Sequence, residues 1–363
     1  MELFHANKQW AFRPDDERFD STQALFDATV AYARTAVEVD SVPLVNFRVE
    51  AINGDIQLVG KKNVPAKLTN WAAKQLCARL EAPHGYISTL PATLAAQNLN
   101  HGLAHRLSKD SDAAVNLLFH NNDGLLLRAM TGERYSRFWN FEIAERLLEL
   151  ELSKGWKPAT PDIRAELDPN GIRLPLYASD HDMFAFMMHP DRIIKESGNP
   201  DGLKRGLIAS NSEVGAGKLR MLRFLYRAMC GNHIIWGAED VVELSAIHVG
   251  TSIHEKFDKW NIEIAKYLDE SANVEEAKIL HLQTHRIAAT KDDLLDALFG
   301  KRSQRLTRKV LEAGYDANIP DVDGDPLTPW GIVQGLTRYS QTTPYADDRM
   351  VIDTAAGKIL DIF

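Results

Sequence analysis

Three stretches of this 363-residue chain come close to motifs that do chemistry, and each misses on a residue the chemistry needs. Val214-Gly215-Ala216-Gly217-Lys218 ends like a phosphate-binding loop, but Ser212 holds the position of the first glycine. Leu219 follows the lysine where a hydroxyl would bind Mg²⁺. Asp321-Val322-Asp323-Gly324-Asp325 opens like a calcium loop. Pro326 then replaces the glycine of its sharp turn and Ile332 replaces the closing glutamate, so a solvated acidic turn is the simpler reading. His101/His105 and His281/His285 are spaced to share helix faces, yet neither pair has a third ligand. His248 and His254 are no better supplied, and there is no Gly-x-Ser-x-Gly elbow. These failures leave no expected catalytic residue, metal site or cofactor.

A charge pattern remains. Residues 202–231 hold Lys204, Arg205, Lys218, Arg220, Arg223 and Arg227 against the single acid Glu213, in a chain of net charge −8. Positions 220, 223 and 227 share a face if the segment is helical. If it begins as a strand, Lys218 and Arg220 share a side instead. Guanidinium forks suit phosphate oxygens, and backbone N–H groups near Gly215 and Gly217 would add donors. A second basic run is Lys301, Arg302, Arg305, Arg308 and Lys309. A third is Arg128, Arg134 and Arg137 beside Tyr135, Phe138 and Trp139. Cations interleaved with rings suit a single-strand binder, in which charge follows the backbone and bases stack. The competing reading is internal ion pairing, with Glu213 placed to pair Arg220 or Arg227.

The elements that must position these residues read as α+β: an antiparallel sheet built from hairpins with packed helices, and a helical C-terminal region. Ser21 and Thr22 can cap a helix carrying Leu25, Phe26 and Val30. Alternating Val45, Phe47 and Val49, the turn Asn53-Gly54, then Ile56 and Leu58 predict a hairpin. Pro65 is placed near the start of a helix running to Leu80, and a second helix covers Leu90 to Leu107. Val115–Phe119 and Leu125–Ala129 predict another hairpin, followed by an amphipathic helix from Phe141 to Leu152. Ile172–Tyr177, Met183–Met188 and Gly206–Ser210 read as strands, Asp191–Leu203 as a flexible loop, and Leu219–Cys230 as strand running into helix. From Glu255 the chain is mainly helical. The expected organisation is an N-terminal segment 1–40, an α+β core 41–250 with an excursion near 155–170, and a helical region 251–363.

Composition narrows the class. Hydrophobic residues make up 45% and charged residues 25%, as in a folded globular protein. No apolar run approaches the roughly 18 residues that span a bilayer. The N-terminus lacks the apolar core of a secretion signal. Two cysteines, Cys77 and Cys230, make neither a disulfide framework nor a zinc cluster and suit a reducing cytoplasm.

Asn211-Ser212-Glu213-Val214-Gly215, followed by Arg227-Ala228-Met229-Cys230-Gly231-Asn232, resembles the "domain of unknown function 932" family of phage and plasmid-like proteins. His233 departs from the glycine usual there. Arg134-Tyr135-Ser136-Arg137-Phe138-Trp139-Asn140 is similar to that family's Arg-Tyr-x-Arg-x-x-Asn segment. Thr328 to Tyr339, with Trp330 and Thr337, is similar to its ending. The resemblance spans roughly residues 105–345 and implies a mobile-element origin and a bacterial cytoplasm, without an activity. The hairpin–helix order with basic and aromatic residues after it is also a little like single-strand annealing proteins of phage recombination.

The expectation is therefore a mobile-element-encoded nucleic-acid-binding protein rather than an enzyme, with a homo-oligomeric single-stranded DNA annealing or recombination factor as its finer form. Its contact residues would be Lys204, Arg205, Lys218, Arg220, Arg223, Arg227, Arg134 and Arg137. Asn211, Ser212, Glu213, Gly215, Cys230 and Asn232 would carry the family motif. The alternative is a phage-encoded interaction protein, an acidic chain that covers a basic host restriction or defence factor. An enzyme of unfamiliar type using Glu213, His233 or His248 ranks last.

Overall fold

The structure is a computed structural model and describes residues 15–121, 124–159, 175–227, 232–234, 253–299, 306–343 and 346–363. It is α+β, with two sheets and a helical C-terminal region.

The first sheet has the order β2-β6-β7-β5-β4-β3. Its strands are β2 (Ala36–Pro43), β3 (Arg48–Ile52), β4 (Asp55–Val59), β5 (Pro65–Leu68), β6 (Ala114–Asn121) and β7 (Leu125–Thr131). Helices α2 (Asn70–Arg79), α3 (His84–Ile87) and α4 (Ala92–Lys109) connect β5 to β6. Leu76, Leu99 and Leu103 bury against Val49, Leu58, Leu117 and Leu127 of the sheet. At roughly 1.5–3 kcal/mol per buried aliphatic side chain, this contact fixes which face of each strand turns inward. Asn53 (φ 53°) and Gly54 (φ 86°) make the β3–β4 turn, where two successive left-handed residues match the twist of the strands. Pro65 opens strand β5 and does not start a helix. At the first position of a strand its missing N–H costs nothing in the ladder, and the helix waits for the Thr69 cap. Cys77 is buried among these leucines, and burial pushes its thiol up to about 11, as for a small apolar residue.

The second sheet has the order β1-β9-β10-β11-β12-β13, with β8 also on β10. These are β1 (Arg18–Phe19), β8 (Lys157–Pro158), β9 (Leu176–Ala178), β10 (Met183–Glu196), β11 (Asn199–Asn211), β12 (Arg220–Arg227) and β13 (Asn232–Ile234). The expected loop Asp191–Leu203 is instead the distal half of the long β10–β11 hairpin. Its turn is Ser197-Gly198, and the Asn199 side chain bonds back to Glu196 (2.7 Å) and the Gly202 carbonyl (2.8 Å). Met183, Ala185 and Met187 pack beneath α1 (Thr22–Arg34), α5 (Asn140–Lys154) and α6 (Ile253–Asp269), whereas Phe184 and Phe186 fill the opposite face.

The described part of the expected N-terminal segment, residues 15–40, is not a separate unit: β1 pairs with β9, α1 packs against α5, and β2 edges the first sheet. The remaining helices are α7 (Ala272–Thr284), α8 (Lys291–Leu298), α9 (Arg308–Ala317), α10 (Pro320–Asp323), α11 (Pro329–Ser340) and α12 (Ala346–Ile362). They build a core around Trp330 and Leu336 that receives Ile194, Leu203 and Leu225 from the distal end of the hairpin.

Candidate functional site: a buried junction between the sheets

β11 ends at Asn211 and the chain turns through residues 212–219 into β12. Ser212 Oγ accepts from the Ala216 N–H (3.0 Å), and Gly215 takes φ 77°, where a side chain would press on the Tyr135 ring. A strand follows, so this turn is not the strand–loop–helix of a phosphate loop. The first sheet holds it by its backbone. Trp71 Nε1 (2.9 Å) and Gln75 Nε2 (2.8 Å) of α2 donate to the Val214 carbonyl. Tyr135 Oη donates to the Ser212 carbonyl (3.2 Å), and Arg137 Nη1 donates to the Glu213 carbonyl.

Glu213, 3% exposed, points inward. Its Oε1 accepts the Asn140 N–H at the start of α5 (2.8 Å), and its Oε2 accepts from Arg128 Nη2 (3.0 Å). Asn211 Nδ2 donates to the Phe138 carbonyl and to Asn140 Oδ1, both at 2.8 Å. Arg128 is 1% exposed and sits where β7 gains a residue. Leu118 pairs with Ala129 and Phe119 with Leu127, leaving Arg128 unpaired in the register. Bulges of this kind re-aim a side chain. Here the guanidinium lies 4.4 Å from the Tyr32 ring centroid and also donates to the Asp180 carbonyl (2.9 Å). Tyr32 stacks on His120 at 4.5 Å, and Trp71 meets His181 edge-on at 4.9 Å.

Among the described residues, seven buried side-chain atoms in this junction have no hydrogen-bond partner: Arg128 Nε and Nη1, Arg137 Nη2, both His181 ring nitrogens, Thr131 Oγ1 and Asn211 Oδ1. Each such group costs about 1–3 kcal/mol when left unmet. Burial raises the Tyr32 phenol to about 12 against the opposing pull of Arg128, so it stays a neutral donor. Burial, then Arg128, lowers the His120 imidazole. Tyr135 is also raised by burial. Thr35 Oγ1 lies within hydrogen-bond distance of both His120 Nδ1 (2.8 Å) and the Tyr32 carbonyl (2.9 Å), so its single proton has two acceptors to choose between. The surplus is of donors, which suits holding an acceptor.

The basic residues of 202–231 divide. Arg205, Arg223 and Arg227 do converge on one sheet face, but α6, α7 and α10 cover that face with acids. Arg205 pairs with Glu275 (2.6 Å), donates to the Tyr267 carbonyl and lies 5.1 Å from the Tyr267 ring. Arg223 reaches Glu270 (2.8 Å) and Glu263 (3.6 Å). Arg227 is bound by Glu196 (2.9 Å), Asp323 (3.2 Å) and the Val322 carbonyl (2.7 Å). These three are internal ion pairs and not a docking surface, because strand alternation aims them at the helical layer. The Glu213 partner is Arg128, not Arg220 or Arg227.

Lys218, Arg220 and Arg134 are exposed around the 212–219 turn, and Lys204 is half-buried on the opposite sheet face. Arg137 is almost wholly covered and pairs with Glu38 (3.0 Å). Asp323, expected in a solvated turn, is instead buried between Arg227 and Arg338. His101, His105, His281 and His285 are exposed, and no group of three metal-ligating side chains occurs among the described residues. Asn232 and His233 lie on β13, opposite Arg227 and Tyr226. Cys230, Gly231, His248, Lys301, Arg302 and Arg305 lie outside the described residues, as does most of the expected excursion at 155–170. Among the described residues, no helix is long and apolar enough to cross a membrane.

Sequence reasoning missed Tyr32, Trp71, His120, Asp180 and His181 as neighbours of the motif. The available signal was Arg128 itself, a lone charge inside Leu125-Leu126-Leu127-Arg128-Ala129-Met130. Compared with family models, curated proteins and solved structures, the chain has no match.

Proposed function

We propose that the chain is a nucleic-acid-binding protein of a mobile genetic element, kin to the "domain of unknown function 932" family. In this reading it works as a homo-oligomer that holds single-stranded DNA by its phosphates. One observation carries the reading: Lys218, Arg220 and Arg134 are exposed around a single turn, beside the half-buried rings of Tyr135, Trp139 and Trp71. Cations there follow a phosphate backbone while rings offer stacking surfaces. In this reading no bond is made or broken.

The test is retention of a single-stranded oligonucleotide at low salt by the triple variant Lys218→Glu, Arg220→Glu, Arg134→Glu. Binding is expected to be lost. Single neutral substitutions are expected to reduce the salt slope by about 0.7 per contact removed. Wild-type chain that retains no DNA, or a triple variant that retains it unchanged, overturns the reading. Arg223 and Arg227 are unsuitable probes, because replacing them breaks internal pairs.

A second reading is supported by where the arginines go. With Arg205 and Arg227 buried, helices such as α8 present Asp292 (87% exposed) and Asp296 (71%) outward, the two sharing the single cation of Arg308. An acidic surface of that kind suits a basic host protein, such as a restriction or defence factor. Stoichiometric recovery of such a protein from nuclease-treated lysate, with no DNA retention, would favour it.

A further inference from the structure

The Glu213 carboxylate occupies a place built for an anion. It sits on the first N–H of a fifteen-residue helix, α5, and against the buried guanidinium of Arg128. Helix N-termini and arginine forks are the two commonest oxyanion holders, and here they converge on one point. The fit is incomplete in one respect. Each of its two oxygens takes one of these donors, Oε1 from Asn140 and Oε2 from Arg128 Nη2, and the remaining acceptor capacity of the carboxylate is not used. Among the described residues nothing accepts from Nε or Nη1 of Arg128 or from Arg137 Nη2, and the ring of His181, whose Nδ1 lies 3.8 Å from Asp182 Oδ2, makes no hydrogen bond. The unmet atoms of these three side chains are nearly all donors. Glu38 balances Arg137 and Asp180 lends only its carbonyl to Arg128, so no other carboxylate oxygen is hydrogen-bonded to Arg128.

We propose that this junction is a binding site for a phosphate-type oxyanion, and that Glu213 is its internal occupant, displaced when the ligand binds. A terminal phosphate brings at least three acceptor oxygens. That is enough for Asn140 N–H, for the Arg128 Nη2 donor that Glu213 gives up together with the unmet N–H beside it on the same edge, and for one donor from Arg137 or His181. A water molecule accepts two hydrogen bonds and carries no charge, and a carboxylate offers its acceptors in one plane, whereas a tetrahedral phosphate spreads them towards donors on several sides. Exchange requires the 212–219 turn to lift. It is held to the first sheet mainly through backbone carbonyls, and Gly215 and Gly217 lie within it. Exposed Lys218 leads out of the same turn, which would couple phosphate capture inside to the DNA-contacting cations outside. The inference deepens the nucleic-acid reading by adding an end-phosphate subsite, and it rests on that reading only for the source of the phosphate.

The probe is inorganic phosphate titrated into the full chain, followed by calorimetry and by ³¹P line broadening. Glu213→Gln keeps the side-chain volume and an acceptor for Asn140 but removes the competing charge. It is expected to bind phosphate about tenfold more tightly than wild type. Arg128→Met is expected to abolish binding. Should Arg128→Met not fold, the gain in Glu213→Gln still decides, since a misfolded chain does not gain affinity. Two further arms separate the sources: a 5′-phosphorylated against a 5′-hydroxyl oligonucleotide, and a free mononucleotide. Equal phosphate affinity in wild type and Glu213→Gln, or no binding by either at millimolar phosphate, overturns the site. DNA retention that depends on Lys218, Arg220 and Arg134 would survive that failure and keep the broader reading separate.

Discussion

Arg128 and Arg227 are both buried arginines on sheet strands, and each is bound to a glutamate, yet the two pairs are finished differently. Around Arg227 every guanidinium nitrogen has a partner: Nε on Glu196 (2.9 Å), Nη1 on Asp323 (3.2 Å) and Nη2 on the Val322 carbonyl (2.7 Å). The acids are equally complete. Glu196 also accepts from Asn199 (2.7 Å) and Trp330 (2.9 Å), and Asp323 from Arg338 (2.7 Å) and the Ile319 N–H (2.9 Å). Around Arg128 one nitrogen is engaged and two are not. A fully satisfied buried network specifies one arrangement, and a partly satisfied one keeps free energy in reserve for a change of partner. The Arg227 joint locks the distal hairpin to the C-terminal helices. The Arg128 junction also joins two parts of the molecule, but it retains capacity to bind.

The largest effect should come from Arg227→Met, which leaves Glu196 and Asp323 buried with too few cations. A loss of about 3–5 kcal/mol is expected, read as a shift in denaturant midpoint. Arg128→Met should cost less, because it strands one acid, Glu213, which keeps the Asn140 N–H, and because two unmet nitrogens vanish with the one that is paired. Equal losses at the two sites would break the comparison.

Acidification sharpens it further. In the folded chain His120 has its pKa lowered, first by burial and then by Arg128. The unfolded chain therefore takes up the proton first, and stability is full above about 6.5 and falls as pH drops through that value. His84, lowered by burial and by Lys74, adds to the same trend. Replacing His120 by Gln should flatten part of the fall in a denaturation series between neutral and mildly acidic pH. An unchanged series would separate His120 from the Arg128 junction.

Much of the fold could be read from local signals. Asn53-Gly54 fixes its hairpin because the turn residues and flanking alternation agree. The β10–β11 hairpin was hidden because Gly198, Pro200 and Gly202 look like a loop, although they form the turn and irregular tip of a fourteen-residue strand and its partner. The charge island was visible, but its meaning was not. Glu263, Glu270, Glu275 and Asp323 lie 40 to 100 residues from the arginines they neutralise, and spacing along the chain says nothing about such partners. The motif Asn211–Gly215 was found by resemblance alone. Its physical sense, a turn that presents a carboxylate to a helix start and a buried arginine, required Arg128 and Asn140 to be brought to it from other elements.

The smallest effect on stability should come from the cations left outside. Lys218 and Arg220 are exposed at the exit of the turn that carries Glu213. Replacing both with glutamate should move the unfolding free energy by no more than about 0.5 kcal/mol, as for surface changes generally. The same substitution should remove retention of single-stranded DNA. That split, binding lost and fold kept, is the converse of the one expected at Arg227, where the fold is lost and with it everything else. If the double variant instead unfolds, the turn is a structural clamp like the distal joint. The contrast between a finished and an unfinished arginine site would then have no functional content.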